Sequence, residues 1–129
     1  RLGGKNVEGA RLPVAPVLHY ALGLALYRQG DRPGALAELT EAWRLGGVSG
    51  DYAYAYVLAL NEMGQGAEAL TVLGAALALR PNDRQLLYAA VSLLAAAGRR
   101  DEALDYARHL AALEPEDPAL AALVRQLGG

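Results

Sequence analysis

Apolar residues recur at intervals of three and four positions along most of the chain, as they do on one face of an α-helix. Leu18, Leu22 and Leu26 follow this spacing until Gly30, a residue type that commonly stands just past a helix end. The same apolar stripe, closed each time by glycine or proline, returns until the last residues. This pattern predicts helices near 16–29, 32–45, 51–63, 67–79, 84–97, 101–113 and 118–127.

The stripes repeat with a fixed period of 34 residues. Each repeat has a glycine, an alanine five positions later and a leucine directly after the alanine. The glycines are Gly30, Gly64 and Gly98, and tyrosine recurs with the same period at Tyr20, Tyr54 and Tyr88. A period of this length is typical of stacked helix pairs. Because the turns are only about three or four residues long, we expect antiparallel neighbours and a function carried by the surface.

The composition supports an all-α fold. Of the 129 residues, 53% are apolar, and alanine and leucine, which favour helices, dominate this fraction. The longest apolar run, 86–97, is well short of the roughly 20 residues of a membrane-spanning helix. Eleven of the twelve basic residues are arginine, as high-GC bacterial genomes favour. We therefore expect no membrane insertion and a soluble bacterial compartment, either the cytoplasm or the periplasm.

Neither charge nor motif indicates nucleic acid, a metal, a cofactor or catalysis. The net charge is −2 and the basic residues are scattered, whereas nucleic acid attracts a basic stripe. The chain has no cysteine. His19 and His109 belong to different repeats, and Ser49 and Ser92 lie in no nucleophile motif. We therefore expect a protein that is not an enzyme and has no cofactor.

The repeated columns resemble the tetratricopeptide repeat. Its signature has a small residue in the first helix, glycine in the turn, alanine, a large apolar residue and alanine in the second helix, then proline. The matches are Gly23, Gly30, Ala35, Leu39 and Ala42, then Gly64, Ala69, Leu73, Ala76 and Pro81, then Gly98, Ala103 and Pro115. The third repeat departs from this pattern, with Ala107 at the large position and Leu110 at the small one. The resemblance implies an all-α, right-handed solenoid of antiparallel helix pairs.

This resemblance also implies how the chain is divided. Residues 1–15 would be a linker or the end of a preceding repeat, residues 16–49, 50–83 and 84–117 three repeats, and residues 118–129 a capping helix. A cap with a polar outer face is what the end of such an array needs. Trp43, Tyr52 and Tyr56 are expected to pack between helices rather than to bind a ligand.

In the tetratricopeptide family the first helix of each pair lines a concave groove, so the resemblance implies a binding site. Its residues here would be Tyr20, Leu24, Tyr27, Asp51, Tyr54, Leu58, Asn61, Gln85 and Tyr88. Tyrosine offers a large apolar face and a hydroxyl that can bond a peptide backbone. The basic clamp with which some family members bind a C-terminal carboxylate is absent. We therefore predict a protein-interaction module whose partner is an apolar or aromatic-anchored peptide or helix.

A second hypothesis is structural. The tyrosines would then only pack against the adjacent repeat, and the array would be a spacer or self-association element of a larger bacterial protein. A homo-oligomer formed through exposed terminal repeat faces is expected in that case.

Overall fold

The computed structural model describes residues 15–46 and 49–128. Within these ranges the chain forms helices joined by short turns and contains no strand. The helices are α1 (Ala15–Arg28), α2 (Arg32–Gly46), α3 (Gly50–Glu62), α4 (Gly66–Leu79), α5 (Arg84–Ala96), α6 (Arg100–Leu113) and α7 (Pro118–Gly128). The helices predicted from the apolar spacing are confirmed. The predicted linker at 1–15 lies outside the described residues, except for Ala15, which opens α1.

The turn within each helix pair closes in the same way. Its glycine takes a positive φ, which is 87° at Gly30, 79° at Gly64 and 80° at Gly98, where other residues would be strained. The next amide donates to a leucine carbonyl in the last turn of the preceding helix, with N to O distances of 2.8 to 2.9 Å. The bonded pairs are Asp31 with Leu26, Gln65 with Leu60 and Arg99 with Leu94. This repeated closure turns the second helix back along the first.

Polar side chains begin the first helices of the second and third pairs. Ser49 caps α3 by accepting the Tyr52 amide at 3.3 Å, and Asp83 caps α5 by accepting the Leu86 amide at 3.1 Å. Asp51 lies in the first turn of α3 rather than at the cap. Its carboxylate is therefore left on the surface, where it is exposed.

Each helix packs against the next one, and α3 also contacts α5. The rings of Tyr20 in α1 and Tyr52 in α3 are in contact, with their centroids 4.8 Å apart. The first helices of successive pairs are thus neighbours on one side of the array. This arrangement is the all-α solenoid that the repeat pattern predicts.

The core is a continuous cluster of leucine, valine and alanine side chains that extends from α2 to α7. Trp43 packs against this cluster, and its ring centroid lies 6.4 Å from that of Tyr56. Tyr56 is 5% exposed. The packing roles predicted for these two aromatic residues are confirmed.

Gly23 lets α1 approach α2. A Cβ atom at this position would lie 2.8 Å from Cγ of Leu39 and 2.9 Å from its Cδ2, closer than carbon atoms normally come. The same repeat position holds Val57 and Val91, and Ala107 takes the place of Leu39 in the third pair. The first and third pairs therefore combine one large and one small residue at these two positions, in opposite order.

Candidate functional site

A groove of about 290 Å³ opens between α1 and α3. Most of its lining is aliphatic or aromatic, and the rest consists of two carboxylates and one amide. The lining residues are Tyr20, Leu24 and Tyr27 of α1, Leu39 of α2, Asp51, Tyr54, Ala55, Leu58, Ala59 and Glu62 of α3, and Gln85 of α5. This surface is called the groove below.

The groove contains seven of the nine residues predicted for the binding site. Asn61 instead borders a separate depression, together with Leu93 and Arg99. Tyr88 is 44% exposed and stands outside the groove lining. A binding role for any of the nine stays a prediction, but the structure brings seven of them together around one space.

The predicted site omitted four lining residues, namely Leu39, Ala55, Ala59 and Glu62. The repeat pattern places Leu39 in the core, where it is 2% exposed, and only the packing of α1 on α2 shows that it forms the floor of the groove. Glu62 follows Asn61 at the end of α3, in the register that the family turns toward its groove. That register indicated Glu62, although the predicted site did not include it.

Small residues keep the groove open. Gly23 is buried against Leu39 and is not part of the lining itself, but a side chain there would collide with Leu39, which forms the floor. Ala55 and Ala59 line the α3 side with single methyl groups. Larger side chains at Ala55 and Ala59 would occupy the groove, and one at Gly23 would displace Leu39, so the size of the groove depends on three residues with almost no chemistry of their own.

Tyr20 forms one wall of the groove. Its ring is held against Tyr52 at an interplanar angle of 41°. Partial burial raises the pKa of Tyr20, and the nearby Asp51 carboxylate and Tyr52 raise it further. Tyr20 therefore presents a neutral hydroxyl at physiological pH. Within the described residues this hydroxyl makes no hydrogen bond, and neither does that of Tyr54.

Tyr27, Glu62 and Arg32 close one end of the groove. The Tyr27 hydroxyl donates to Oε2 of Glu62 at 2.9 Å, and Nε of Arg32 donates to Oε1 of the same carboxylate at 3.0 Å. The Arg32 guanidinium also lies over the Tyr27 ring, 5.2 Å from its centroid. The hydrogen bond to Glu62 raises the pKa of Tyr27, and the negative charge of Glu62 adds to this effect. The Glu62 charge is thus matched by a cation.

The opposite end of the groove carries Asp51 and Gln85, and both are exposed. Within the described ranges neither side chain has a hydrogen-bond or ion-pair partner. Arg80 and Asp83, on the turn that leads into α5, pair with each other at 3.5 Å. The groove lining holds no arginine, lysine or histidine. Asp51 is therefore a negative charge without a matching cation in the groove.

Each histidine contacts one polar side chain from another part of the chain. Nδ1 of His19 lies 2.6 Å from Oε1 of Glu38, and Nε2 of His109 lies 2.7 Å from Oδ1 of Asn82. Asn82 lies in the turn between α4 and α5. Across residues 15–46 and 49–128, no group of three or more metal-ligating side chains comes together. No helix in these ranges is long and apolar enough to cross a membrane.

The fold and the groove define an α-solenoid of helix pairs with an apolar channel along its first helices. The chain belongs to the tetratricopeptide repeat family, whose model matches residues 60–127, just over half of the sequence. A comparison with curated proteins finds no match.

Solved structures with the same fold include proteins that were determined with a bound partner. The first tetratricopeptide domain of Spaghetti (RPAP3), bound to the HSP90 peptide SRMEEVD, has a TM-score of 0.76 and 16% identity, covering 88% of this chain and 90% of that one. PcrH, in complex with the chaperone binding region of PopD, has a TM-score of 0.67 and 22% identity, covering 86% and 84%. The tetratricopeptide domain of Arabidopsis OM64 has a TM-score of 0.74 and 21% identity, covering 88% and 93%. At these identities the likeness shows the fold alone.

Proposed function

We propose that this chain is a non-catalytic protein-interaction module that binds an apolar or aromatic-anchored peptide or helix in the groove. The observation that carries the proposal is an open apolar channel with two tyrosine hydroxyls, on Tyr20 and Tyr54, that have no partner among the described residues. The rings bury apolar side chains, and the hydroxyls are placed to bond a peptide backbone.

The size of the groove suits a short peptide segment rather than a folded domain. Asp51 and Glu62 are eleven positions apart on α3, which corresponds to about 16 Å along the helix axis. An extended peptide covers this distance with about five residues. The volume of about 290 Å³ suits one or two anchoring side chains, and the rest of the segment would lie on the rim.

Family members of similar structure support an interaction role in general, since two of them were solved with a peptide or a partner segment. The chemistry of this groove argues against an acidic ligand such as SRMEEVD. Its lining has two carboxylates and no cationic side chain, and an acidic tail needs several converging donors. The partner proposed here is therefore anchored by apolar contacts.

A matched pair of leucines tests the groove. Leu58 lines it and is 37% exposed, whereas Leu113 lies at the end of α6 and is 38% exposed. The probe is an array of acetylated, amidated hexapeptides with leucine or phenylalanine at two inner positions. We expect Leu58→Ser to weaken binding about tenfold through lost apolar burial, and Leu113→Ser to bind like the unmodified chain.

Equal binding by both variants would contradict the proposal, as would an array on which no peptide binds the unmodified chain. Circular dichroism of both variants checks that the helices remain. Because the two leucines are equally exposed, a general loss of stability would affect both variants alike.

One observation favours the structural alternative. On α1, Leu18 is 62% exposed and Leu22 is 48% exposed. The residues at the same repeat positions in later pairs are covered by the preceding pair, for example Tyr56 at 5% and Leu86 at 0%. This α1 face would support a self-association or spacer role in a larger bacterial protein. Sedimentation equilibrium would show a concentration-dependent mass that Leu22→Glu abolishes.

A further inference from the structure

We propose that the groove selects segments in which a basic residue flanks the apolar anchor, with the cation placed over Asp51. This inference rests on the proposed function and names the chemical class of the partner. It starts from the uneven charge of the groove, which has a carboxylate at each end and no basic side chain in its lining.

The two carboxylates differ in whether a cation already lies beside them. Glu62 accepts one hydrogen bond on each oxygen, from Arg32 and from Tyr27, and its charge is matched by the Arg32 guanidinium. Asp51 has no hydrogen-bond or ion-pair partner among the described residues. Arg80, on the turn before α5, pairs with Asp83 at 3.5 Å and lies outside the groove lining. An incoming cation therefore finds an open carboxylate at one end of the groove only.

The position of Asp51 also decides at which end of the groove the partner's cation would bind. Tyr20 lies close enough to Asp51 for the carboxylate to raise the pKa of its hydroxyl, and Gln85 from α5 borders the same end. A lysine or arginine of the partner would bond Asp51 while its aliphatic stem lies along the Tyr20 ring. The apolar anchor then falls above Leu39, in the deeper part of the groove.

The test uses three otherwise identical peptides. Each is an acetylated, amidated hexapeptide with leucine or phenylalanine anchors and carries lysine, glutamine or glutamate at one end, so that no terminal charge interferes. Fluorescence polarisation gives the affinity of each. We expect the lysine peptide to bind about threefold more tightly than the glutamine peptide and about tenfold more tightly than the glutamate peptide. This preference should shrink as salt is added.

Variants assign the preference to Asp51. Asp51→Asn should make the three affinities equal, and Asp51→Lys should reverse their order. Asp101→Asn is the control, because Asp101 is also an exposed aspartate in the first turn of a helix, α6, but lies outside the groove. It should leave the order unchanged.

The outcomes separate this inference from the proposed function. Suppose that Leu58→Ser weakens binding of the glutamine peptide, but the lysine and glutamate peptides bind the unmodified chain equally well. The proposed function then stands, and the basic-residue inference is wrong. An order that persists in Asp51→Asn overturns the inference too. If no peptide of the series binds the unmodified chain, the proposed function and the inference both fail.

Discussion

The two halves of the first-helix face come from one repeat pattern, yet in the described part of the chain the groove lies on the α1 and α3 half, and Tyr88 of α5 is not part of its lining. Between α1 and α3, the groove is lined by Leu24 and Tyr27. On α5, the same repeat positions hold Ser92 and Ala95, and Tyr88 stands 44% exposed beside them. A shared register thus places residues on the same face but does not make that face equally deep or equally apolar.

The difference arises beneath the surface as well as on it. Gly23 has no side chain to press on Leu39, which forms the floor of the groove, whereas the equivalent Val57 is completely buried and fills that position in the second half. Ala59 contributes a single methyl group to the groove, and the equivalent Leu93 packs against the core with a full side chain. The size of the groove therefore depends on where small residues fall in the repeats.

The largest expected effect comes from adding a side chain at Gly23, which packs on the groove floor at Leu39. Gly23→Val would push its Cβ to 2.8 Å from Cγ of Leu39, and we expect this overpacking to cost about 1–3 kcal/mol of unfolding free energy. Peptide binding should fall in parallel. Urea denaturation measures the loss. Gly74→Val is the control. Gly74 lies in a helix, as Gly23 does, but it is exposed and nothing lies within 4 Å of a Cβ there.

The third pair suggests a compensating change for the same site. Gly23→Val combined with Leu39→Ala would give the first pair the arrangement of Val91 and Ala107. We expect the double variant to be more stable than the sum of the two single changes predicts. Strict additivity would show that the contact between Gly23 and Leu39 does not limit the packing of α1 on α2.

A smaller effect should distinguish Tyr54 from Tyr88, which occupy the same position in successive repeats. Tyr54 lines the groove, and Tyr88 does not. Replacing Tyr54 with alanine should weaken binding of the hexapeptides about tenfold, or roughly 1.4 kcal/mol, whereas Tyr88→Ala should change it less than about twofold. Isothermal titration calorimetry measures both. A comparable loss from Tyr88→Ala would mean that the binding surface extends across both halves.

The smallest effect concerns alkaline pH. The pKa values of Tyr20 and Tyr27 are raised in the fold, so folding favours their neutral hydroxyls. Their contribution to stability is complete below a pH of about 10, the ordinary tyrosine value, and is lost as pH rises through the raised values. We expect thermal unfolding to fall to lower temperature above this pH, and Glu62→Gln to weaken the decline.

The matched control for this titration is Glu68→Gln, which changes an exposed glutamate of α4 outside the groove. It should leave the alkaline decline unchanged. An ultraviolet titration of tyrosine ionisation should also show that Glu62→Gln lowers the pKa of Tyr27. If Glu62→Gln and Glu68→Gln behave alike, the bond between Tyr27 and Glu62 does not persist in solution.

Local chemistry in the sequence determined the helices, their ends and their pairing. Gly30, Gly64 and Gly98 close their turns with a positive φ because glycine adopts it without strain, and the apolar spacing selects the buried stripe of each helix. These properties belong to single repeats and are determined by residues that are close in sequence. The family register likewise brought seven of nine predicted residues to the groove.

Only the tertiary structure decided how deep the groove is and which charges in it are balanced. Its lining combines Leu39 of α2, which packs against Gly23 of α1, with Ala59 of α3, and its closed end joins Tyr27 and Glu62, which are 35 positions apart. No local propensity encodes such contacts, because they depend on how closely separate helices approach. For the same reason register alone could not show that Tyr88 stands outside the groove, or that Asp51 is left without a matching cation there.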